Sequence, residues 1–286
     1  MIDNPLYRFP KSNLAASVSV EALFPGTNSI RNLVDNIGKS ITNFTDELAK
    51  GFSEIKANFR NKSIGSIGEL AKLEYASSLP ANVRIKGYLG VKEIGMQVPP
   101  GFKGNMSSYI NKMNSIFTVI ENFGTDYFPK ADRYLASLLN DPRKLYSHVS
   151  AIDNNLVKDI EDSKTEIANF FGNSSASHLT KFGDIYSSTN EWYDSLSTFS
   201  TLIGRINKYS PDKVSKEIDS LSEKADRLIL KLKKDNNLNP TQATIKDIAN
   251  VLYTMAVAYE FYGAYIQFAN ELYVSIVNIN HVMMKV

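Results

Sequence analysis

The sequence predicts an all-α protein, folded as a multi-helix bundle with a long buried helix at the C-terminal end. First, apolar residues recur every three or four positions along most of the chain, which is the period of an amphipathic helix. Second, residues 251–269 are apolar on most faces, which is typical of a central, buried helix. Third, short alternation of apolar residues with many glycines is confined to residues 82–104, where we expect a small hairpin or irregular insertion.

The composition bounds the function classes. The 286 residues are 43% apolar and include 15 Phe and 15 Tyr, enough for a sizeable core. The absence of Cys excludes disulfides, thiolate metal sites and cysteine nucleophiles. A net charge of +2 argues against strong nucleic-acid binding, which needs a concentrated basic surface.

Residues 1–26 are expected to form an N-terminal arm or propeptide-like segment, because Pro5, Pro10 and Pro25 interrupt any regular structure there. Residues 27–286 then form the helical body. The change in pattern near residue 105 leaves room for a sub-boundary, although a single continuous core is the preferred interpretation.

One apolar stripe marks residues 27–60. Its members step by three or four positions and so share one face of a predicted helix: Ile30, Leu33, Ile37, Ile41, Phe44, Leu48 and Phe52, with Ile55 and Phe59 continuing it. This face is a candidate partner-binding surface. The alternative, that it packs on the chain's own core, stays open at this point.

Further helices are predicted from Met106, from Pro129, over 142–171 and over 177–209. Ser210, Pro211 and Asp212 then have the residue types of an N-cap and a first turn. A heptad seam follows, from which we expect an antiparallel helical hairpin within the chain: Val214, Ile218, Leu221, Ala225, Leu228 and Leu232. The last helix is predicted from Thr241 to Val282.

No grouping of residues predicts a catalytic or metal site. His148, His178 and His281 are far apart in the sequence and lack ligand-spaced partners. Glu260 and Glu271 would share a helix face about 16 Å apart, which is too far for paired acid–base chemistry. We therefore expect a non-enzymatic protein that needs no cofactor and no metal.

Two other features have a structural and a functional interpretation. The Gly101–Gly104 stretch fits a simple turn better than a phosphate-binding loop, because no strand-to-helix pattern surrounds it. Trp192, the single tryptophan, is expected to anchor the core from its helix.

The arm ends in a candidate processing site. Ser19, Glu21 and Ala22 supply a small residue two positions before a Glu and a small residue after it. This pattern resembles the sites cut by the prohead proteases of giant tailed bacteriophages. The stretches "LFPGTNSIRNLVDNIGKSITNF" and "VPPGFKGNMSSYINKMNSIF" resemble the internal head proteins of the same phages.

The resemblance implies a virion structural or assembly protein, packaged in the capsid interior after assembly in the host cytoplasm and processed after Glu21. Its partners would be other virion or assembly proteins, and an oligomer is compatible with this role. Two alternatives remain. One is a helical pore-forming protein that stores residues 251–269 as its membrane segment, against which Glu260 within that stretch argues. The other is a helical adaptor.

Overall fold

A computed structural model describes residues 92–99, 101–141, 144, 156–171, 178–234 and 242–285. These residues are mostly helical, with one small two-stranded sheet, which confirms the all-α prediction. The elements are β1 (Gly95–Val98), α1 (Met106–Asn122), a π-helical turn (Phe123–Tyr127), α2 (Phe128–Asn140), α3 (Leu156–Phe171), β2 (His178–Lys181), α4 (Phe182–Ile185), α5 (Thr189–Lys208), α6 (Pro211–Lys234) and α7 (Gln242–Lys285).

Helix α1 begins where the sequence predicts. Asn105 is its N-cap, with the side-chain Oδ1 accepting a hydrogen bond from the backbone N–H of Ser108 at 2.8 Å. The apolar residues that recur every three or four positions along this helix are buried, including Tyr109, Met113 and Phe117. The periodicity therefore located both the helix and its core face.

Helix α2 does not open as a separate helix at Pro129, and this part of the prediction is wrong. The backbone stays helical from α1 through the π-turn into α2. The N–H of Phe128 bonds to the carbonyl of Phe123, five residues back instead of four. Because Pro129 has no N–H to continue the ordinary ladder, this wider turn accommodates the missing donor and lets the helical run continue.

The sheet corrects two expectations. Residues 177–209 do not form one helix, since His178–Lys181 is a strand that pairs antiparallel with β1, with Val98 opposite His178. Within the described part of residues 82–104, strand β1 therefore pairs with a strand about 80 positions away and not with a neighbour in a local hairpin. Residues 82–91 lie outside the described residues. Met96 and Val98 lie on the face of β1 that is buried in the core, so burial of this one strand face sets the register of the pairing.

Helix α6 has the predicted seam, and this seam also packs on a helix that is distant in the sequence. Val214, Leu221, Ala225 and Leu228 are buried, whereas the side chains of Ile218 and Leu232 lie outside the described set. The side chain of Lys224 donates a hydrogen bond to the carboxylate of Asp132 in α2. Seven residues further along α6, Lys231 donates to the backbone carbonyl of Leu139, which is seven residues further along α2.

Equal steps in the same direction mean that α6 and α2 run parallel. The seam thus packs on α2, which is far away in the sequence. Helix α6 also contacts α7, the next helix along the chain. Because Tyr127 pairs with Thr254 and the later Tyr134 with the earlier Asp247, α7 runs antiparallel to α2 and therefore to α6, as the expected helical hairpin requires.

Helix α7 is the central element, as predicted. Its 44 residues extend over about 66 Å. It runs antiparallel to α1 and α5: the Phe268 ring stacks on Tyr109 at 5.9 Å between centroids, and the earlier Tyr265 ring meets the later Phe117 at 5.2 Å. Tyr265 also donates from its hydroxyl to the carbonyl of Met113 at 2.9 Å. On the α5 side, the Tyr273 ring meets Phe199 and the earlier Tyr262 ring meets the later Tyr209, which gives the same antiparallel sense.

Candidate functional site

The residues that the sequence singles out for processing and partner binding lie outside the described residues. They are Ser19, Glu21 and Ala22 in the arm, and Ile30, Leu33, Ile37, Ile41, Phe44, Leu48 and Phe52 in the stripe. Both expectations therefore stay predictions.

The candidate chemical residues are scattered in the fold. His178 on β2 and His281 near the end of α7 are exposed, and His148 lies outside the described residues. Trp192 is buried, with its ring centroid 4.6 Å from that of Tyr193, in agreement with a core anchor. In the part of the chain that the structure describes, no group of three or more His, Asp or Glu residues is placed to hold a metal ion.

The Gly101–Gly104 stretch forms the turn that leads into α1. Gly101 and Gly104 have φ angles of 74° and 99°, which suit residues without a Cβ. The carboxylate of Glu191, in the first turn of α5, accepts hydrogen bonds from the Asn105 side-chain amide at 2.5 Å and from the backbone N–H of Ser187 at 2.6 Å. The protein's own carboxylate thus joins the N-terminal ends of α1 and α5, where an anion is favoured.

Arg205 ties α5 to α1. Its guanidinium donates to the carboxylate of Glu121 at 2.7 and 3.1 Å, and to the backbone carbonyl and side-chain oxygen of Asn114 at 2.8 and 3.0 Å. The same group lies 5.3 Å from the centroid of the Phe117 ring. The hydrogen bond that Arg205 donates to Glu121 raises the pKa of the guanidinium above its usual value. A planar fork with five donors suits such a clamp better than an ammonium group does.

The most unusual arrangement is the Tyr209 junction, which comprises Gly124, Tyr209, Glu217 and Tyr262. Tyr209 closes α5 just before α6 begins, and its ring lies against Gly124 in the π-turn. A Cβ added at Gly124 would lie 1.5 Å from the Tyr209 hydroxyl oxygen. The Tyr209 hydroxyl donates to Glu217 at 2.9 Å, while the Tyr262 hydroxyl donates to the Tyr209 carbonyl at 2.7 Å. The run from α1 to α2 and the run from α5 to α6 lie parallel to each other. The π-turn interrupts the first and Tyr209 the second, and these two interruptions lie side by side. Tyr262 joins them there to α7.

Burial sets the electrostatics of this junction. The side chain of Glu217 is only 13% exposed, and burial raises the pKa of its carboxyl in spite of the Tyr209 hydrogen bond and of Lys213, whose Nζ is 4.0 Å away. Burial, followed by the charge of Glu217, raises the pKa of Tyr209 as well. Burial thus shifts both groups towards their neutral forms, as expected for groups removed from water.

A small apolar cavity borders the junction, lined by Ile120, Phe123, Ile160 and Phe261 among others. The space open to the centre of a water molecule is about 10 Å³, which is about the room that one water needs. This cavity is too small for a substrate. The junction connects α5 to the π-turn, to α6 and to α7.

Sequence reasoning missed the clamp and the junction, although weak signals existed. Gly124 is an isolated glycine in a helical pattern, which often marks close packing. Arg205 is a basic residue between the apolar Ile203 and Ile206 in "TLIGRINKY". Neither signal predicts which residue Gly124 or Arg205 contacts, because the partners of both residues are more than 80 positions away in the sequence.

The stretch proposed as a stored membrane segment lies within α7. Its described side chains are mostly buried, including Met255, Phe261, Tyr265 and Phe268. Glu271 is half-buried, and the side chain of Glu260 lies outside the described set. Among the described residues, no helix combines the length and the apolar character needed to cross a bilayer.

Comparison with known proteins returned no match to a family model, to a curated protein or to a solved structure.

Proposed function

We propose that this chain is a non-enzymatic structural or assembly protein of the interior of a tailed-phage head. It would be made in the host cytoplasm, packaged in the capsid and processed after Glu21. The observation that carries the proposal is the Ser19, Glu21 and Ala22 site directly ahead of a stretch that resembles internal head proteins.

The arrangement of charged groups is in keeping with this role. Among the described residues, three ion pairs each join two different helices: Lys112 to Glu166, Arg205 to Glu121, and Lys224 to Asp132. Charged side chains that connect helices stabilise one arrangement of a body, as a structural component requires. The arm and the stripe of residues 30–52 are the surfaces that we propose for contact with other virion or assembly proteins.

The test is intact mass and N-terminal sequencing of the protein from mature particles and from immature heads. We expect the chain to begin at Ala22 in mature particles and at Met1 before processing. A Glu21→Gln chain should keep its arm, because prohead proteases of this kind are expected to require the Glu. A matched Glu69→Gln chain, altered at a Glu in "SIGEL" that is followed by Leu70 and not by a small residue, should be cut normally.

A chain that still begins at Met1 in mature particles would contradict the processing step. A protein absent from purified particles would contradict the location as well. In that case the adaptor or pore-forming alternatives would need their own tests, for which release of a dye from liposomes separates the two.

A further inference from the structure

Two helical runs are interrupted at the level of the Tyr209 junction. In the first run, the π-turn bonds Phe128 to Phe123, five residues back, so the regular ladder of hydrogen bonds is broken there. In the second run, Tyr209 has left the helical conformation, with φ −110° and ψ 54°. The corner between α5 and α6, residues 208–211, is therefore a point at which the two helices can change their angle.

One hydrogen bond and one close approach hold this corner in place. The Tyr209 hydroxyl donates to Oε2 of Glu217 at 2.9 Å. The end of the same ring fills the space that the missing Cβ of Gly124 leaves open. Glu217 thus fixes the ring, and the ring fixes the corner against the π-turn.

An ionised Glu217 is poorly solvated in this position. Its side chain is 13% exposed, whereas a carboxylate has about four sites that accept hydrogen bonds. Among the described contacts, it accepts only the bond from Tyr209, since Lys213 Nζ lies 4.0 Å from Oε1. Burial accordingly raises the pKa of this carboxyl. Ionisation of Glu217 therefore favours any arrangement that lets water reach the corner.

The titratable groups around Glu217 come from every helix that meets at the junction. Helix α5 supplies Tyr209, and α7 supplies Tyr262, whose hydroxyl is bonded to the Tyr209 carbonyl. In α1 and the π-turn the acidic groups lie in ion pairs, Glu121 with Arg205 and Asp126 with Lys130. Of the described charges, that of Lys213 on α6 itself is the one that lowers the pKa of Glu217, against the effect of burial.

The small cavity beside the junction leaves room for movement. It is lined by Phe123 of the π-turn, Ile160 of α3 and Val214 of α6, among others. The space open to the centre of a water molecule is about 10 Å³, which is about the room that one water needs. Because Val214 lies in the first turns of α6, these turns have free space on their inner side.

We infer that the Tyr209 junction is a proton-linked latch. While Glu217 is neutral, the latch holds the corner against the π-turn. When Glu217 loses its proton, the first turns of α6 separate from the π-turn and water enters the cavity. Because the closed corner holds the proton more tightly, rising pH favours the open one. The latch goes beyond the proposed function and does not rest on it, since it depends only on contacts within the described chain.

The absence of native cysteine allows a direct test of local opening. Val214→Cys places one thiol beside the latch, and Leu228→Cys, two heptads later on the same buried seam, is the matched control. At about pH 8, a maleimide should label position 214 at least about tenfold faster than position 228, because only unfolding of the chain exposes position 228. Low concentrations of urea should accelerate labelling at 228 and leave labelling at 214 nearly unchanged, since a local opening exposes little surface.

The role of the proton is tested by Glu217→Gln, which keeps a neutral side chain of the same shape. Protection at position 214 is expressed relative to the unfolded chain at the same pH, which removes the titration of the thiol itself. It should fall at least about threefold between about pH 5 and about pH 8, since one pKa unit corresponds to a factor of ten. Glu217→Gln should abolish this fall. Asp219→Asn, at an exposed carboxylate of the same helix, should leave it unchanged.

Lys213→Met gives a further check of the sign. Because the charge of Lys213 favours the ionised carboxylate, its removal should move the loss of protection to higher pH. His178 and His281 are present in every variant, so a pH dependence that came from them would survive Glu217→Gln.

Three results would overturn the inference: equal labelling of positions 214 and 228, equal acceleration of both by urea, or a fall of protection that survives Glu217→Gln. The emission of Trp192, which is buried in the described core, shows whether each variant is folded. If Val214→Cys fails to fold, amide hydrogen exchange of the unaltered chain replaces it. Residues 215–221 should then exchange faster than residues 224–231 and lose protection as pH rises, after correction for the intrinsic rate. Equal protection of the two segments would contradict the latch.

Discussion

Replacement of Gly124 by Ala should destabilise this protein, against the usual rule for helical glycines. In an exposed helix interior, Gly→Ala stabilises by about 1 kcal/mol. Here the new Cβ would lie 1.5 Å from the Tyr209 hydroxyl oxygen and 2.0 Å from the adjoining ring carbon. The Tyr209 ring would have to move, and it is only 4% exposed.

Two costs oppose the gain in helix propensity. Overpacking in a well-packed site costs about 1–3 kcal/mol. Loss of the Tyr209 hydrogen bond to the Glu217 carboxylate costs about 1.5–3 kcal/mol. After the gain is subtracted, we expect the free energy of unfolding to fall by about 3 kcal/mol.

Urea unfolding, followed by Trp192 emission and by circular dichroism at 222 nm, measures this change. Gly204→Ala is the matched control, because Gly204 lies in α5 with nothing within 4 Å of its added Cβ. That change should stabilise by about 0.5–1 kcal/mol. A Gly124→Ala protein as stable as the Gly204→Ala protein would refute the junction. In a Tyr209→Ala background the clash is removed, so Gly124→Ala should become neutral or stabilising there.

Three further predictions concern charge and titration. Arg205→Met should lower the free energy of unfolding by about 2 kcal/mol, since it leaves the half-buried Glu121 unpaired. The control Arg227→Met, at an exposed ion pair, should change the free energy of unfolding by less than about 0.5 kcal/mol. Equal effects of the two changes in urea unfolding would contradict the role of Arg205 as a clamp. The raised pKa of Glu217 means that the folded state holds the carboxyl proton more tightly than the unfolded state does. The free energy of unfolding should therefore fall as pH rises from the ordinary Glu range through the folded pKa. Glu217→Gln should flatten that part of a stability–pH curve, and an unchanged slope would count against the raised pKa. Burial raises the pKa of Tyr127 to about 12, so above about pH 10 the unfolded state releases its proton first and stability should fall. Tyr127→Phe should make this fall shallower in urea unfolding, and an unchanged slope would argue against burial of the Tyr127 hydroxyl.

Much of the fold follows from local pattern. The period of the apolar residues predicted α1, α6 and α7, and the end of α6 near Lys234 and its start after Ser210 follow from residues that are close in the sequence. The candidate site was not accessible in the same way. Gly124 and Tyr209 are separated by 85 positions, and a single sequence carries no mark that joins them.

The sequence by itself determined the helical class, the buried central helix and the absence of any cysteine chemistry, because these depend on composition and on a period of 3.6 residues. Only the tertiary structure decided that α6 runs parallel to α2, that β1 pairs with residues 178–181, and that Pro129 sits within a continuous helical run. Each of these depends on packing between distant parts of the chain. Local propensity does not depend on such contacts and permits several arrangements of the same helices and strands. Burial of Met96, Val98 and the α6 seam selects one of these arrangements.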